Sequence, residues 1–210
     1  MSYVVKEIFY TLQGEGAHAG RPAVLCRFSG CNLWTGREHD RQRATCRLCD
    51  TDFVGTDGAN GGRFASARQL ADAIRRVWMG EAIDSYVVFT GGEPTLQLDE
   101  AVIAAARERG FSTAIETNGT REVSHGLDWV CVSPKARAPL RQRAGDELKL
   151  VFPQPLLDPA SFEHLPFRYL FLQPCDDAER AANTRAAVAY CLRHPRWRLS
   201  LQTHKLLGIR

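Results

Sequence analysis

The chain has 210 residues, of which 44% are hydrophobic, and a formal net charge of +3. This length fits one domain over residues 1–210, and the small charge gives no indication of a nucleic-acid partner. No apolar run is long enough to span a membrane, and the odd count of seven cysteines argues against a secreted disulfide framework, so we predict a cytoplasmic protein without a membrane partner.

Short runs rich in Val, Ile, Phe and Tyr alternate with helical patterns along the chain, which predicts an α/β fold around a mostly parallel sheet. Ser66 and Asp99 are expected to cap helices over residues 66–78 and 99–109, and a third helix is predicted over 177–193. The Gly-rich segment 55–62 is expected to be a loop. The predicted strands, in chain order, are 4–9, 23–28, 86–90, 112–116, 129–133, 147–151, 169–173 and 198–202.

Polar residues follow the ends of successive predicted strands. Because the carboxyl ends of parallel strands meet at one crevice, these residues are expected to converge. Each of them alone is also compatible with an ordinary strand-ending turn, and their joint occurrence is what favours a site. They are Cys31, Gly91–Glu93, Glu116, Asn118, Ser133, Lys135, Gln173, Gln202 and His204.

Three cysteines with the spacing C-x14-C-x2-C lie in a polar loop, about residues 29–51, directly after an apolar strand. A closed structural zinc site needs four protein ligands, and an electron-transfer iron–sulfur cluster usually has four thiolates. Cys31, Cys46 and Cys49 would therefore leave one metal position open for a substrate or cofactor. The alternative is a zinc knuckle that His39 or Cys26 completes.

The tripeptide Gly91-Gly92-Glu93 follows another apolar strand. Paired glycines let the backbone approach a ligand closely, and a carboxylate beside exposed carbonyls can accept hydrogen bonds from an ammonium group. Taken with the three-cysteine loop, this motif resembles the radical S-adenosylmethionine superfamily. In that superfamily three cysteines hold a [4Fe–4S] cluster, and its open iron binds the amino and carboxylate groups of the cofactor.

The resemblance implies both a cofactor site and a fold. Gly91, Gly92 and Glu93 would receive the methionine ammonium, and Glu116 would approach the ribose. A full barrel of eight units needs about 250 residues, so the implied fold is a partial, modified (βα) barrel with some helices reduced or missing and with an inserted cluster-binding loop. The other implied cofactor residues are Ser133, Pro134, Lys135, Gln173, Pro174, Cys175 and Asp176.

The long gap between the first two cysteines, together with Tyr10-Thr11-Leu12-Gln13-Gly14-Glu15-Gly16, resembles a subgroup of the 7-carboxy-7-deazaguanine synthase family. That family converts 6-carboxy-5,6,7,8-tetrahydropterin to 7-carboxy-7-deazaguanine with loss of ammonia, on the route to queuosine, and requires magnesium. The resemblance implies Thr51 as a magnesium ligand, with Asp50 as a competitor. It also implies a homodimer and an external electron donor such as a flavodoxin-like protein.

A pterin offers an amine, a ring N–H and a carbonyl along one edge, so its site should present donors and acceptors in one plane. Arg27 suits the substrate carboxylate because its guanidinium forms a bidentate fork. The chain end at Arg210 is expected to fold over the site, with its terminal carboxylate accepting from the pterin edge. The residues predicted to contact the pterin are Leu12, Gln13, Gly14, Glu15, Arg27, Thr90, His204 and Arg210.

Two other functions stay open on the sequence. A glycyl-radical-type activating enzyme would use the same cluster on a partner protein, but it would not need residues 13–15 or a magnesium ligand. A small zinc-binding interaction module would use the three cysteines only as structural ligands.

Overall fold

The computed structural model describes residues 2–210, which form a nine-stranded sheet and four α-helices. The helices are α1 (Ala67–Val77), α2 (Glu100–Arg107), α3 (Arg180–Arg193) and α4 (Thr203–Leu207). The strands are β1 (Tyr3–Leu12), β2 (Pro22–Phe28), β3 (Gly62–Phe64), β4 (Tyr86–Gly91), β5 (Ser112–Thr117), β6 (Trp129–Val132), β7 (Gly145–Phe152), β8 (Phe167–Pro174) and β9 (Trp197–Leu199).

The strand order in the sheet is β3-β1-β2-β4-β5-β6-β7-β8-β9. β1 runs antiparallel to β2 and β3, and every pair from β2 to β9 is parallel. The prediction of an α/β fold with a mostly parallel sheet is therefore confirmed. The carboxyl ends of β2 and β4–β9 all lie at one edge of the sheet, where ligand sites of such sheets form.

The two faces of the sheet differ because side chains alternate along each strand. In β2, Val24, Cys26 and Phe28 belong to an apolar cluster that also contains buried residues of α1 and α2. Leu25 and Arg27 lie on the opposite face and line a cavity. Helices therefore cover one face, and the other face is left for polar chemistry.

Two of the three predicted helix starts agree with the observed caps, whereas α3, predicted from residue 177, begins at Arg180 without a side-chain cap. The Ser66 hydroxyl accepts a hydrogen bond from the Gln69 N–H at 3.2 Å, and Asp99 Oδ1 accepts one from the Val102 N–H at 3.0 Å. Each bond satisfies a donor that the first turn of a helix leaves without a partner. Gly110 follows α2 with φ +85°, a left-handed conformation that glycine adopts without strain.

Three elements differ from the predictions. β3 was not predicted; it begins at Gly62, directly after residues 55–61, which form the predicted loop. This loop is bonded to β1, since the Ile8 N–H donates to Ala59 O at 2.8 Å and the Gly58 N–H to Lys6 O at 3.0 Å. β9 ends at Leu199 instead of residue 202. The chain then forms α4, a five-residue helix too short to give a periodic pattern.

Three connections between neighbouring parallel strands carry no α-helix, and the one from β7 to β8, residues 153–166, contains only the short 3-10 helix Pro159–Phe162. Residues 118–128 join β5 to β6 and residues 133–144 join β6 to β7 as irregular chain, which includes the segment 137–143 where no helix was expected. Among residues 2–210, no helix is both long and apolar enough to cross a membrane.

Candidate functional site

A cavity of about 550 Å³ lies on the face of the sheet that the helices leave uncovered, a size typical of small-molecule sites. Its walls come from the strands, the cysteine loop and the C-terminal segment. Most of the predicted site residues line it. They are Leu12, Gln13, Gly14, Glu15, Arg27, Cys46, Cys49, Thr51, Thr90, Gly91, Gly92, Glu116, Ser133, Lys135, Gln173, His204 and Arg210.

Six predicted residues do not line the cavity: Cys31, Glu93, Pro134, Pro174, Cys175 and Asp176. Cys31 lies directly behind the wall, because a Cβ at Gly92 would be 2.8 Å from the Cys31 Cβ. Asp176 reaches the rim only through Lys205, which donates to it at 2.6 Å. Pro174 ends β8, and Cys175 is buried beyond it.

Glu93 has a different position from the one its motif suggested. Its side chain is 0% exposed and both carboxylate oxygens are already bonded. Oε1 accepts from the Thr95 N–H at 3.0 Å, the Thr95 hydroxyl at 2.7 Å and the Thr117 hydroxyl at 2.7 Å, and Oε2 accepts from the Asn118 N–H at 2.8 Å. The carboxylate therefore joins the ends of β4 and β5, and Gly91 and Gly92 alone represent the motif at the cavity wall.

The fourteen residues between Cys31 and Cys46 form a loop whose two ends meet. Leu33 O accepts hydrogen bonds from the Thr45 N–H at 3.1 Å and the Cys46 N–H at 3.3 Å, so the chain returns to the place where it left. Arg41, in the middle of this loop, binds the chain near the third cysteine, since its Nη1 donates to Cys49 O at 3.0 Å. The long spacing therefore brings Cys46 back beside Cys31.

The three thiols neighbour one another without converging on a point. Burial raises the pKa of Cys31 and of Cys49, and the charge of Cys46 raises both further. In residues 2–210 no three His, Cys, Asp or Glu side chains are grouped to hold a single metal ion. Cys26 is 0% exposed inside the apolar cluster and His39 points to Asp40 at the surface. Three neighbouring thiolates spread along one loop suit a polynuclear cluster, whose ligands bind different metal atoms.

Lys149 joins two of the predicted site carboxylates. Its Nζ donates to Glu15 Oε2 at 2.5 Å and to Glu116 Oε1 at 3.3 Å. Gln13 Nε2 donates to the same oxygen of Glu116 at 3.2 Å, and Gln202 Nε2 donates to Glu15 Oε1 at 2.9 Å. The predicted substrate residue and the predicted cofactor residue therefore share one ammonium group.

This ammonium sets the ionisation of its neighbours. Burial alone would raise the pKa of Glu15, but Lys149, Gln202 and the charge of His204 outweigh it and bring that pKa to about 2. Burial alone would lower the pKa of Lys149, but Glu116 and Glu15 hold it well above its usual value. Both groups are therefore charged at neutral pH, although Lys149 is buried and Glu15 is half-buried.

The C-terminal segment closes the cavity from the side of β1. The Thr203 N–H donates to Gly14 O at 2.9 Å, and the imidazole of His204 packs against Gly14. Arg210 Nη2 donates to Glu7 Oε2 at 2.7 Å. Lys205 Nζ donates to Asp50 Oδ2 at 2.6 Å and so connects α4 to the cysteine loop.

Comparisons with known proteins identify the family. No protein-family model matches the chain. A protein of Bordetella pertussis named 7-carboxy-7-deazaguanine synthase is 64% identical over 209 residues, and the alignment covers 100% of both chains. One of Bradyrhizobium diazoefficiens with the same name is 63% identical over 210 residues, again over 100% of both.

The chain belongs to the 7-carboxy-7-deazaguanine synthase family.

The solved structures agree with this membership. The crystal structure of QueE from Escherichia coli has a TM-score of 0.69 to this chain at 28% sequence identity, and the match covers 96% of this chain and 94% of that one. The family that the cysteine spacing and residues 10–16 indicated is therefore confirmed.

Sequence reasoning missed one central residue of this member of the synthase family. Lys149 was treated as part of an apolar strand, although Glu147, Lys149 and Val151 alternate with Leu148 and Leu150. The two leucines belong to the apolar cluster on the helical side, which leaves Lys149 on the cavity side. The period-2 alternation was the available signal.

The stability of this synthase-family member is expected to depend on pH through Glu15. Because the folded-state pKa of Glu15 is lowered from 4.5 to about 2, the ionised carboxylate contributes stability that is fully present above pH 4.5 and is lost as the pH falls through about 2. Urea unfolding of wild type and Glu15→Gln should show a constant difference in unfolding free energy above pH 4.5 and a shrinking one below it. A difference that stays constant throughout the acid range would contradict the ion pair.

Proposed function

We propose that this chain converts 6-carboxy-5,6,7,8-tetrahydropterin to 7-carboxy-7-deazaguanine with release of ammonia, in a magnesium-dependent ring contraction on the route to queuosine and other 7-deazapurines. The observation that carries the proposal is the closure of the cysteine loop at Leu33, which brings Cys46 beside Cys31. Cys31 lies directly behind the cavity wall at Gly92. Full-length identity to proteins named for this reaction supports it.

Cys31, Cys46 and Cys49 would hold a [4Fe–4S] cluster, and S-adenosylmethionine would lie against Gly91 and Gly92. When bound, the reduced cluster supplies the electron that cleaves the cofactor and starts radical chemistry on the substrate. The buried walls of the cavity would exclude water from that chemistry. The other residues proposed for the cofactor are Glu93, through its hold on Thr117 and Asn118, and Glu116, Ser133, Pro134, Lys135, Gln173, Pro174, Cys175 and Asp176.

The pterin would lie between β1 and the C-terminal segment. Glu7 holds Arg27 through Nε at 2.9 Å, which leaves the two terminal nitrogens of Arg27 for the substrate carboxylate. The ionised Glu15 would accept from the exocyclic amine. The other residues proposed for the substrate are Leu12, Gln13, Gly14, Thr90, His204 and Arg210, all of which line the same cavity.

Thr51 is the proposed magnesium ligand. It lines the cavity, whereas the carboxylate of its competitor Asp50 is bonded to Lys205 at 2.6 Å. Magnesium prefers oxygen ligands and keeps several waters, so one hydroxyl would act together with the substrate carboxylate.

Thr51→Ala is expected to raise the magnesium concentration needed for half-maximal turnover by about tenfold, the effect of losing about 1.4 kcal/mol of ion binding. The matched control is Thr45→Ala, an exposed threonine of the same loop. Steady-state rates over a magnesium titration measure both. Equal magnesium dependence of Thr51→Ala and wild type would remove the ligand assignment.

The proposal also covers the shape of the sheet, the number of domains, the cellular location and the partners. We propose that the sheet curves into a partial barrel with one domain over residues 1–210, which the bond from Thr203 back to Gly14 supports. We also propose a cytoplasmic homodimer that takes electrons from an external flavodoxin-like donor and has no nucleic-acid or membrane partner.

The proposal is tested by cofactor cleavage. The protein is reconstituted anaerobically with iron and sulfide, its metal content is analysed, and 5′-deoxyadenosine is measured with S-adenosylmethionine and a chemical reductant. Iron and sulfide should bind, and the pterin should accelerate 5′-deoxyadenosine formation. A chain that takes up only zinc would support the interaction module instead, and cleavage that ignores the pterin would favour an activating enzyme.

A further inference from the structure

Lys149 is the most deeply buried cation at the cavity, with 5% exposure, and none of the roles proposed above uses it. A buried ammonium is costly unless carboxylates compensate it. Here Glu15 comes from the chain after β1 and Glu116 from β5, so two elements distant in sequence converge on one side chain of β7.

We infer that Lys149 is a positioning residue that holds Glu15 and Glu116 side by side, and that it thereby adjusts the site to a substrate edge that donates hydrogen bonds. The inference rests on the proposed function for the identity of that substrate. Glu15 can accept from an amine only as a carboxylate in a fixed orientation, and Lys149 together with Gln202 provides both conditions.

The surroundings of Lys149 explain why its removal would be felt at Glu15. The groups that face Lys149 are Glu15, Glu116 of β5, Cys131 of β6 and Glu147 of its own strand. Without the ammonium, two half-buried carboxylates would lose the cation that they share, and Glu15, whose carboxylate Lys149 contacts at 2.5 Å, would take up a proton more readily.

Other charges near these carboxylates are too few to replace the ammonium. His204 of α4 and Asp50 of the cysteine loop face the Glu15 side, and Tyr86 of β4 faces Glu116. Glu147 is bonded to the Ala17 N–H at 2.9 Å, and burial raises its pKa. In Lys149→Met, the pKa of Glu15 is therefore expected to rise toward the pH range of the binding measurements.

The test measures the dissociation constant of the pterin by calorimetry on the reconstituted protein with S-adenosylmethionine, between pH 6 and pH 8. In Lys149→Met the dissociation constant is expected to rise by about tenfold or more from pH 8 to pH 6 beyond any change in wild type, which corresponds to about 1.4 kcal/mol. Lys149→Arg should keep the wild-type pH dependence because it keeps the cation. In the Glu15→Gln background, adding Lys149→Met should produce no new pH dependence.

Arg109→Met is the matched control, because Arg109, in the turn after α2, forms an ion pair with Asp72 of α1 at 2.6 Å and does not line the cavity. It should lose stability without changing the pH dependence of binding. If Lys149→Met does not fold, Lys149→Gln, which keeps a donor without a charge, takes its place.

The inference is overturned if a folded Lys149→Met or Lys149→Gln protein binds the pterin like wild type at every pH, or if Lys149→Arg behaves like Lys149→Met. Wild-type protein that binds the pterin but forms no product would contradict the proposed reaction and leave the binding comparison decisive for Lys149.

Discussion

Cys46→Ala is expected to abolish formation of the deazaguanine product while the chain stays folded. Cys46 is 8% exposed, and its neighbours Cys31 and Cys49 lose the third ligand that a cluster with one open iron requires. The same loss is expected for Cys31→Ala and Cys49→Ala. Rates should fall by more than about a thousandfold, the scale seen when a group essential to the chemistry is removed.

The control for this prediction is Cys191→Ala, a half-buried cysteine on α3. It should keep its iron, its sulfide and its turnover. Far-ultraviolet circular dichroism of all four variants should match wild type, because Cys31, Cys46 and Cys49 lie in a loop outside the sheet and Cys191 is only half-buried. Turnover by any one of the three ligand variants would contradict the cluster assignment.

Glu93→Ala is expected to lower the free energy of unfolding by about 3 to 5 kcal/mol, because several donors lose their acceptor and each buried donor without a partner costs about 1 to 3 kcal/mol. The substitution removes the acceptor of four hydrogen bonds from Thr95, Thr117 and Asn118. Because these bonds join the ends of β4 and β5, cofactor affinity should fall as well. Urea unfolding of the protein without cofactor measures the stability part alone.

Glu100→Ala is the matched control, since Glu100 is an exposed carboxylate in the first turn of α2. It should change the unfolding free energy by less than about 1 kcal/mol. Glu93→Gln keeps the size of the side chain and should be less destabilising than Glu93→Ala. A Glu93→Ala protein as stable as wild type would mean that the carboxylate does not join the two strands.

Local signals in the sequence predicted the α/β class and most of the larger elements. Ser66 and Asp99 indicated two helix starts, because an N-cap side chain bonds to a backbone N–H only three residues further along the chain. The parallel strands followed from apolar runs of strand length. β3 and α4 were missed because one has three residues and the other five, and neither length gives a readable period.

The site was predictable as a list of residues, and its internal contacts were not. The placement of polar residues after successive strands follows from parallel topology, and residues such as Gln173 and His204 line the cavity as a result. Whether a carboxylate faces the cavity or the strand ends depends on three-dimensional contacts, so the bonds of Glu93 to Thr95, Thr117 and Asn118 could not be predicted from its motif. Lys149 was overlooked because it lies inside a predicted strand, whereas the predicted site residues were those that follow strand ends.

The cysteine spacing shows a further limit of one-dimensional reasoning. Fourteen intervening residues suggest that Cys31 and Cys46 lie far apart. The backbone N–H groups of Thr45 and Cys46 nevertheless both donate to Leu33 O, which brings the two cysteines close together. The rings of Trp34 and Phe53 pack edge to face with their centroids 5.7 Å apart, and they give the inserted loop a small apolar core of its own. Such closure depends on pairings inside the loop, which no motif encodes.

The most direct test of the proposed function is the identity of the product. Reconstituted, reduced protein is incubated with 6-carboxy-5,6,7,8-tetrahydropterin, S-adenosylmethionine and magnesium, and the mixture is analysed by mass spectrometry and for ammonia. We predict 7-carboxy-7-deazaguanine and ammonia in equal amounts, with neither formed when S-adenosylmethionine is omitted. A protein that carries the cluster and cleaves the cofactor, yet leaves the pterin ring unchanged, would contradict the proposed function.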